Sequence, residues 1–207
     1  MIETHLVTVP LLPELRLHLA ADDAGLWDGT GGAYLSDQPP PFWAFAWPGG
    51  TALARYLLDH PDAVRGRRVV DLASGSGVVA IAASLAGASA VRAVDVDPAA
   101  ITAIGLNAEA NGVRVEPVAG EAAGSLDDAE IILVGDGFYT GAVAASMTRL
   151  LAGAARGGAQ ALVGDPGRGF LPRRLFDKLA EYAVPVRPAL EDVTAKPTTI
   201  WRLRPSR

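Results

Sequence analysis

The chain has 207 residues, half of them hydrophobic, with a formal net charge of −5; that length suits one domain with a substantial apolar core. The acidic balance speaks against a general nucleic-acid binder, which favours a basic face, and no apolar run approaches the roughly 20 residues that span a membrane. Cysteine is absent, which excludes disulfides, thiolate metal sites and a cysteine nucleophile.

Glu3, His5 and Pro10 interrupt any secretion signal at the amino end, predicting a cytosolic protein. Leu15 to Ala20 alternates like an edge strand, and Asp28 to Pro41 is a loop rich in glycine, proline and aspartate. Phe42-Trp43-Ala44-Phe45-Ala46-Trp47-Pro48-Gly49-Gly50 then concentrates aromatics in a chain where they make up 6%. Trp43 and Phe45 are expected in the core, and Pro48 to Asp59 makes a helix.

From there strand and helix alternate. Val69-Val70-Asp71 is a strand running into the glycine turn Leu72-Ala73-Ser74-Gly75-Ser76-Gly77, which opens the helix Val78 to Ala86, capped by Gly87. Val91 to Asp95 is the next strand, with Asp97 as N-cap and Pro98 at the first position of a helix running to Asn111. Asn111-Gly112 ends that helix, and Val113 to Val115 is a short strand. Ala129 to Val134 is a buried strand, Gly141 to Ala155 a helix, Ala159 to Val163 a strand and Pro172 to Tyr182 a helix. Val184 to Arg187 and Thr199 to Leu203 are the closing strands. The alternation predicts an α/β fold with a doubly wound, mostly parallel sheet and an antiparallel edge strand. No repeat or linker divides the chain, so residues 1–47 are expected as a cap segment of the same domain as residues 48–207.

The chemistry concentrates at strand ends. A hydrophobic strand that stops in a turn of small residues lets a ligand approach backbone amides at a helix N-terminus. Gly75-x-Gly77 alone also fits a dinucleotide site, but Asp71 with three residues before Gly75 gives D-x-x-x-G-x-G, and the acid discriminates. Asp95 follows Asp71 by 24 residues, one βαβ passage, which places its carboxylate beside the glycine turn for the hydroxyls of a ribose. A left-handed backbone at Ala73, where a glycine would be at ease, is costly. At the end of the fourth sheet strand, Gly135-Asp136-Gly137-Phe138-Tyr139 sits near the expected topological switch. There an acid could orient an amine and assist its proton loss, and two aromatics could wall an aliphatic stem; the alternative is a turn-capping acid over packed rings. His5, His18 and His60 form no ligand-spaced pair, so no metal is expected.

In order, W-A-F-A-W-P-G-G, D-L-A-S-G-S-G, A-V-D-V-D-P, G-D-G-F-Y and G-D-P-G-R resemble the lysine methyltransferases that act on the electron-transfer flavoprotein β-subunit. These belong to the class I, seven-strand S-adenosylmethionine (SAM) methyltransferases, and the resemblance runs from about Pro40 to Leu203. It implies a seven-stranded Rossmann-like sheet, SAM as cofactor and a protein substrate, with no nucleic acid or membrane partner. Trp47, Asp71, Ala73, Ser74, Gly75, Gly77, Asp95 and Glu121 would bind the cofactor, Trp47 through its ring over the methionine end. Asp136, Phe138 and Tyr139 would form the lysine channel, and Asp165 and Arg168 would shape the substrate mouth. Where many relatives carry an acid after the tyrosine, this chain has Thr140. A nicotinamide oxidoreductase, a non-catalytic SAM-binding module and a methyltransferase of another protein such as a ribosomal one are the competing readings. The first would bring a hydride-transfer acid or a Tyr-x-x-x-Lys pair, and neither tyrosine supplies one, since Tyr139 is followed by Val143 and Tyr182 by Val186.

Overall fold

The computed structural model describes residues 3–21, 40–120, 126, 128–186 and 193–205. Two strands, β1 (Thr4–Val9) and β2 (Leu12–Ala20), form an antiparallel hairpin. There follow α1 (Pro48–Asp59), β3 (Arg68–Leu72), α2 (Val78–Leu85), β4 (Ala90–Asp95), α3 (Pro98–Ala110), β5 (Glu116–Ala119), β6 (Ile131–Gly135), α4 (Gly141–Arg156), β7 (Gln160–Asp165), β8 (Phe176–Pro185) and β9 (Ala195–Leu203). The last seven strands make one sheet in the order β5-β4-β3-β6-β7-β9-β8, with β9 antiparallel to both its neighbours and the others parallel. That is the doubly wound, mostly parallel sheet expected, with its antiparallel strands at one edge. No helix among the described residues is long and apolar enough to cross a membrane.

The period of two along each strand divides the core between the faces. Val69, Ile131, Leu133, Leu162 and Ile200 pack with α1 and α2 on one side, while Val70, Leu72, Ile132, Val134 and Val163 pack with Ala144 and Leu151 of α4 on the other. The chain winds outward from β3 through β4 to β5, then returns to lay β6 against the other side of β3. The switch point therefore lies between the carboxyl ends of β3 and β6, where α/β sheets open a crevice for ligands.

Three expectations need correction. Pro172 to Tyr182 is no helix: most of it is β8, paired with β9 from Phe176 onward with a bulge between Lys178 and Ala180. Its leucine, lysine, alanine and glutamate favour a helix locally. Long-range pairing with β9 and the burial of Phe176 override that weak preference. The short strand after α3 is Glu116–Ala119, not Val113 to Val115. Leu15 to Ala20 is a strand, but it pairs with β1 instead of edging the large sheet. Leu12, Leu15, Leu17 and Leu19 of that hairpin are buried in the same core as α1 and α2. Asn107 of α3 and Asn111, the residue that caps its carboxyl end, fasten it: they accept the amides of His18 and Arg16 at 2.7 and 3.0 Å.

Candidate active site at the carboxyl edge of the sheet

The end of β3 is organised from below. Asp71 is 1% exposed; its Oδ2 accepts the Ser74 hydroxyl at 2.5 Å and the Ala80 amide of α2 at 3.2 Å, so it ties the glycine turn to the helix it opens. Its Oδ1 is buried with no partner. Burial pushes this carboxyl up to about 7, against the two hydrogen bonds, and the charge of Asp95 pushes the same way. Ala73 does adopt the left-handed backbone, φ +53°, and Gly75 follows at +54°.

Asp95 at the end of β4 meets this turn from the side. Its Oδ2 accepts the Gly75 amide at 2.8 Å and its Oδ1 the Asp97 amide at 3.0 Å, while Asp97 caps α3 through the Ala99 amide, as its position predicts. The carboxylate is thus immobilised with lone pairs to spare. Asn107, fully buried, donates to the Ser76 carbonyl at 2.8 Å and so links the same turn to the hairpin. The aromatic segment crosses close by: a Cβ on Gly75 would stand 3.7 Å from the Cα of Trp43. A turn of small residues with a fixed acceptor at its side fits an adenosine-type cofactor, whose ribose needs acceptors and whose chain needs room near the backbone.

The second half of the site is built by α1. A Cβ on Gly164 at the end of β7 would lie 2.0 Å from the Gly49 carbonyl oxygen, and one on Gly135 at the end of β6 would lie 2.6 Å from the Gly50 Cα. Only glycines let the first turn of α1 sit this close on the strand ends. The approach aims two free amides at Asp136: Gly49 and Gly50 both donate to its Oδ2, the latter at 3.1 Å. Asp136 itself has a left-handed backbone, φ +55°. Its Oδ1 faces Arg168, whose Nη2 lies 3.4 Å away. Burial pushes the Asp136 carboxyl up to about 6, opposed first by the Arg168 charge and then by the two amides.

Around Asp136 the rings separate into two groups. Tyr139 is half exposed, and its ring stands 6.5 Å from that of Phe42, which in turn is 5.9 Å from Trp47. The Trp47 indole donates to the Phe42 carbonyl at 2.8 Å, and the Arg168 guanidinium lies over its face at 5.9 Å. Phe138 is 1% exposed, edge to face with Phe176 at 6.2 Å. Phe138, expected in the lysine channel, thus has its ring buried beside Phe176. Trp47 likewise contacts Phe42, Phe45 and Arg168 on the Asp136 side, while the segment passes the glycine turn at Trp43. Phe45 is buried as expected, but Trp43 only partly.

Asp165, 3% exposed at the end of β7, accepts the Gly167 amide at 2.9 Å, and burial pushes its carboxyl up. It lines a cleft of about 470 Å³ with Gly169, Leu171, Pro172, Arg173 and Arg174. Glu121 lies outside the described residues. No metal-ligating cluster occurs among the described residues. Sequence reasoning passed over Phe42 and Asn107. The i,i+4 spacing of two asparagines on a helix was a signal for Asn107, whereas nothing in the chain marks Phe42 apart from its aromatic neighbours.

Glycine turn and anchored acid on either side of the switch point, in a seven-stranded sheet of this order, define a class I SAM-dependent methyltransferase. A family model described as ribosomal protein L11 methyltransferase (PrmA) matches residues 49–134. The electron transfer flavoprotein beta subunit lysine methyltransferases of Danio rerio and Homo sapiens are 39% and 37% identical, over 93% and 94% of this chain and 76% of each relative. A proposed RNA methyltransferase from Pyrococcus horikoshii shares the fold at a TM-score of 0.58 and 18% identity, over 83% of this chain and 91% of its own. The chain belongs to the electron transfer flavoprotein beta subunit lysine methyltransferase family, and its cofactor is SAM.

Proposed function

We propose that this chain methylates lysine side chains on a protein, with the β-subunit of an electron transfer flavoprotein as its substrate. The observation that carries this reading is the Asp136 carboxylate, held by the first turn of α1 at the switch point with the rings of Trp47, Phe42 and Tyr139 beside it. SAM, when bound, supplies an electrophilic methyl group on a sulfonium.

The residues divide the work. Asp95 accepts the ribose hydroxyls, and Gly75 and Gly77 with Ser74 leave room for the cofactor's chain beside the turn. Asp71 acts beneath them, holding Ser74 and α2 in register, with Ala73 bending the chain between. Glu121, in the segment after β5, takes the adenine side. In-line displacement needs an amine with a free lone pair, out of water and aligned with the methyl group. Asp136 attracts the lysine ammonium and orients it, and its carboxyl, pushed up to about 6, makes a carboxylate that is more basic than usual yet ionised at neutral pH, which suits a group that assists proton loss. Tyr139 and Phe42 flank the aliphatic stem, Phe138 supports the turn from below, and Arg168 and Asp165 shape the entrance. The hairpin of residues 4–20 acts as part of the same domain, its asparagine link bracing the glycine turn.

The relatives named for ribosomal protein L11 match 30% of the chain, 63 residues at 51% identity, and the L11 family model stops at residue 134. The family-model match covers the cofactor half and leaves out Asp136 and the segment after β7, so it does not favour an L11 substrate. The test is methyl transfer from labelled SAM to purified flavoprotein, with the modified residue located by mass spectrometry. Label on a lysine of the β-subunit is expected, with Asp136→Asn retaining SAM binding and losing most turnover. Label elsewhere, or full turnover by Asp136→Asn, overturns the reading.

A further inference from the structure

The segment after β7 carries cations with two different settings. Arg168 pairs with Asp136, whereas Arg173 and Arg174 line the 470 Å³ cleft together with Asp165. Both of these arginines are exposed, and among the described residues neither forms an ion pair. Arg204 spans from the Arg174 carbonyl at 3.0 Å to Asp177 at 2.7 Å, so that neighbouring acid is already engaged. Asp165 is 3% exposed and turned to the Gly167 amide. In a chain of net charge −5, the cleft therefore presents a positive wall to solvent. We propose that it docks an acidic side chain of the protein substrate, and that Arg173 and Arg174 thereby help to select the lysines that reach Asp136. This rests on the protein-lysine reading of the site.

Three observations support a carboxylate-bearing partner. The cations are held in place: the Arg173 guanidinium lies over the Trp201 ring at 5.7 Å, its amide donates to the Leu171 carbonyl at 2.9 Å, and the Leu175 amide donates to the Pro172 carbonyl at 2.9 Å. An arginine ordered in advance loses little freedom when its planar fork meets a carboxylate. The cleft also adjoins the lysine seat. The Gly164 carbonyl of β7 accepts the Asp136 amide at 3.0 Å, so Asp136 and Asp165 end adjacent strands, which lie about 4.8 Å apart. One short stretch of substrate can thus offer a lysine to the first and an acid to the cleft beside the second. Finally, the exposed aromatic rings among the described residues, Phe42, Tyr139 and Phe170, all stand along this edge, Phe170 between the cleft residues Gly169 and Leu171. Exposed rings beside arginines are the composition of a protein-binding surface.

The test has two arms, both on the full chain. In the first, methyl transfer to purified flavoprotein is measured at saturating SAM. Arg173→Gln combined with Arg174→Gln is expected to raise KM for the protein roughly tenfold, the size that two lost charge contacts at a rim imply, with kcat and SAM affinity unchanged. Arg173→Lys with Arg174→Lys should recover part of the loss, because the charges remain and the forks do not. In the second arm, binding of tetraglutamate to the chain saturated with S-adenosylhomocysteine is followed by ligand-observed NMR; wild type should bind it and the glutamine pair should not. An unchanged KM in the glutamine pair, or no tetraglutamate binding by wild type, overturns the proposal, as does inorganic phosphate that binds as tightly as tetraglutamate, which marks a small-anion site. If tetraglutamate binding depends on the two arginines but no lysine is methylated, the functional reading fails and the acid-binding cleft stands. If lysine is methylated and KM ignores the arginines, the docking cleft alone fails.

Discussion

The Asp95 carboxylate accepts the Gly75 amide at 2.8 Å, so the acid that ends β4 also holds the turn that ends β3. One side chain fixes the distance between two neighbouring strand ends, and its orientation is fixed in return by the Asp97 amide. An acceptor prepared in this way loses little freedom when a ligand binds.

Asp95→Ala is therefore expected to weaken SAM by about 2 kcal/mol, roughly thirtyfold, through the lost charge-assisted contacts. Calorimetric titration checks it. An unchanged affinity would remove Asp95 from the cofactor site.

The two neighbouring aromatics should separate cleanly. Phe138→Ala empties a core position and should cost about 3–5 kcal/mol of stability, whereas Tyr139→Ala, at a half-exposed site, should stay within about 0.5 kcal/mol. Activity is expected to fall in Tyr139→Ala and partly in Tyr139→Phe. Denaturant unfolding alongside methyl transfer distinguishes them; a stable Phe138→Ala with lost activity would return that ring to the channel.

Stability should decline as pH rises. Asp71 and Asp136 are held up at about 7 and about 6 in the folded chain, above the ordinary 3.8, so the folded state binds more protons between these values and deprotonation favours unfolding. Glu14, Glu130 and Glu181 are shifted down and act oppositely, but their contribution is complete just above their ordinary range. Between pH 5 and about 7 the urea midpoint should therefore fall. A midpoint that climbs over this range would mean that Asp71 is charged and paired in the native protein.

Backbone constraints give opposite signs at two positions. Ala73→Gly should add about 1 kcal/mol, since an L residue in the left-handed region costs that much, and raise Tm by roughly 2–4 °C. Gly164→Ala should cost about 3 kcal/mol or more, because its Cβ would press on the Gly49 carbonyl and lift α1 from Asp136. Thermal melts of both variants test this; a neutral Gly164→Ala would show that the α1 contact yields easily.

The amino-acid order alone determined the alternation of strands and helices, the glycine turn with its two acids, the Asp97 cap and the α1 boundaries. These depend on neighbours a few residues apart, where backbone propensity and capping act. Only tertiary structure decided that 176–185 pairs as a strand, since β9 supplies hydrogen bonds that no local pattern reveals. It alone put Phe138 in the core and Tyr139 in the open, because adjacent residues take opposite sides of a turn whose direction is set by α1. It alone brought Arg168 to Asp136 across 32 residues and Asn107 to Ser76 across 31. Contacts of that separation follow from how the sheet is wound, and the winding is fixed by burying both of its faces at once.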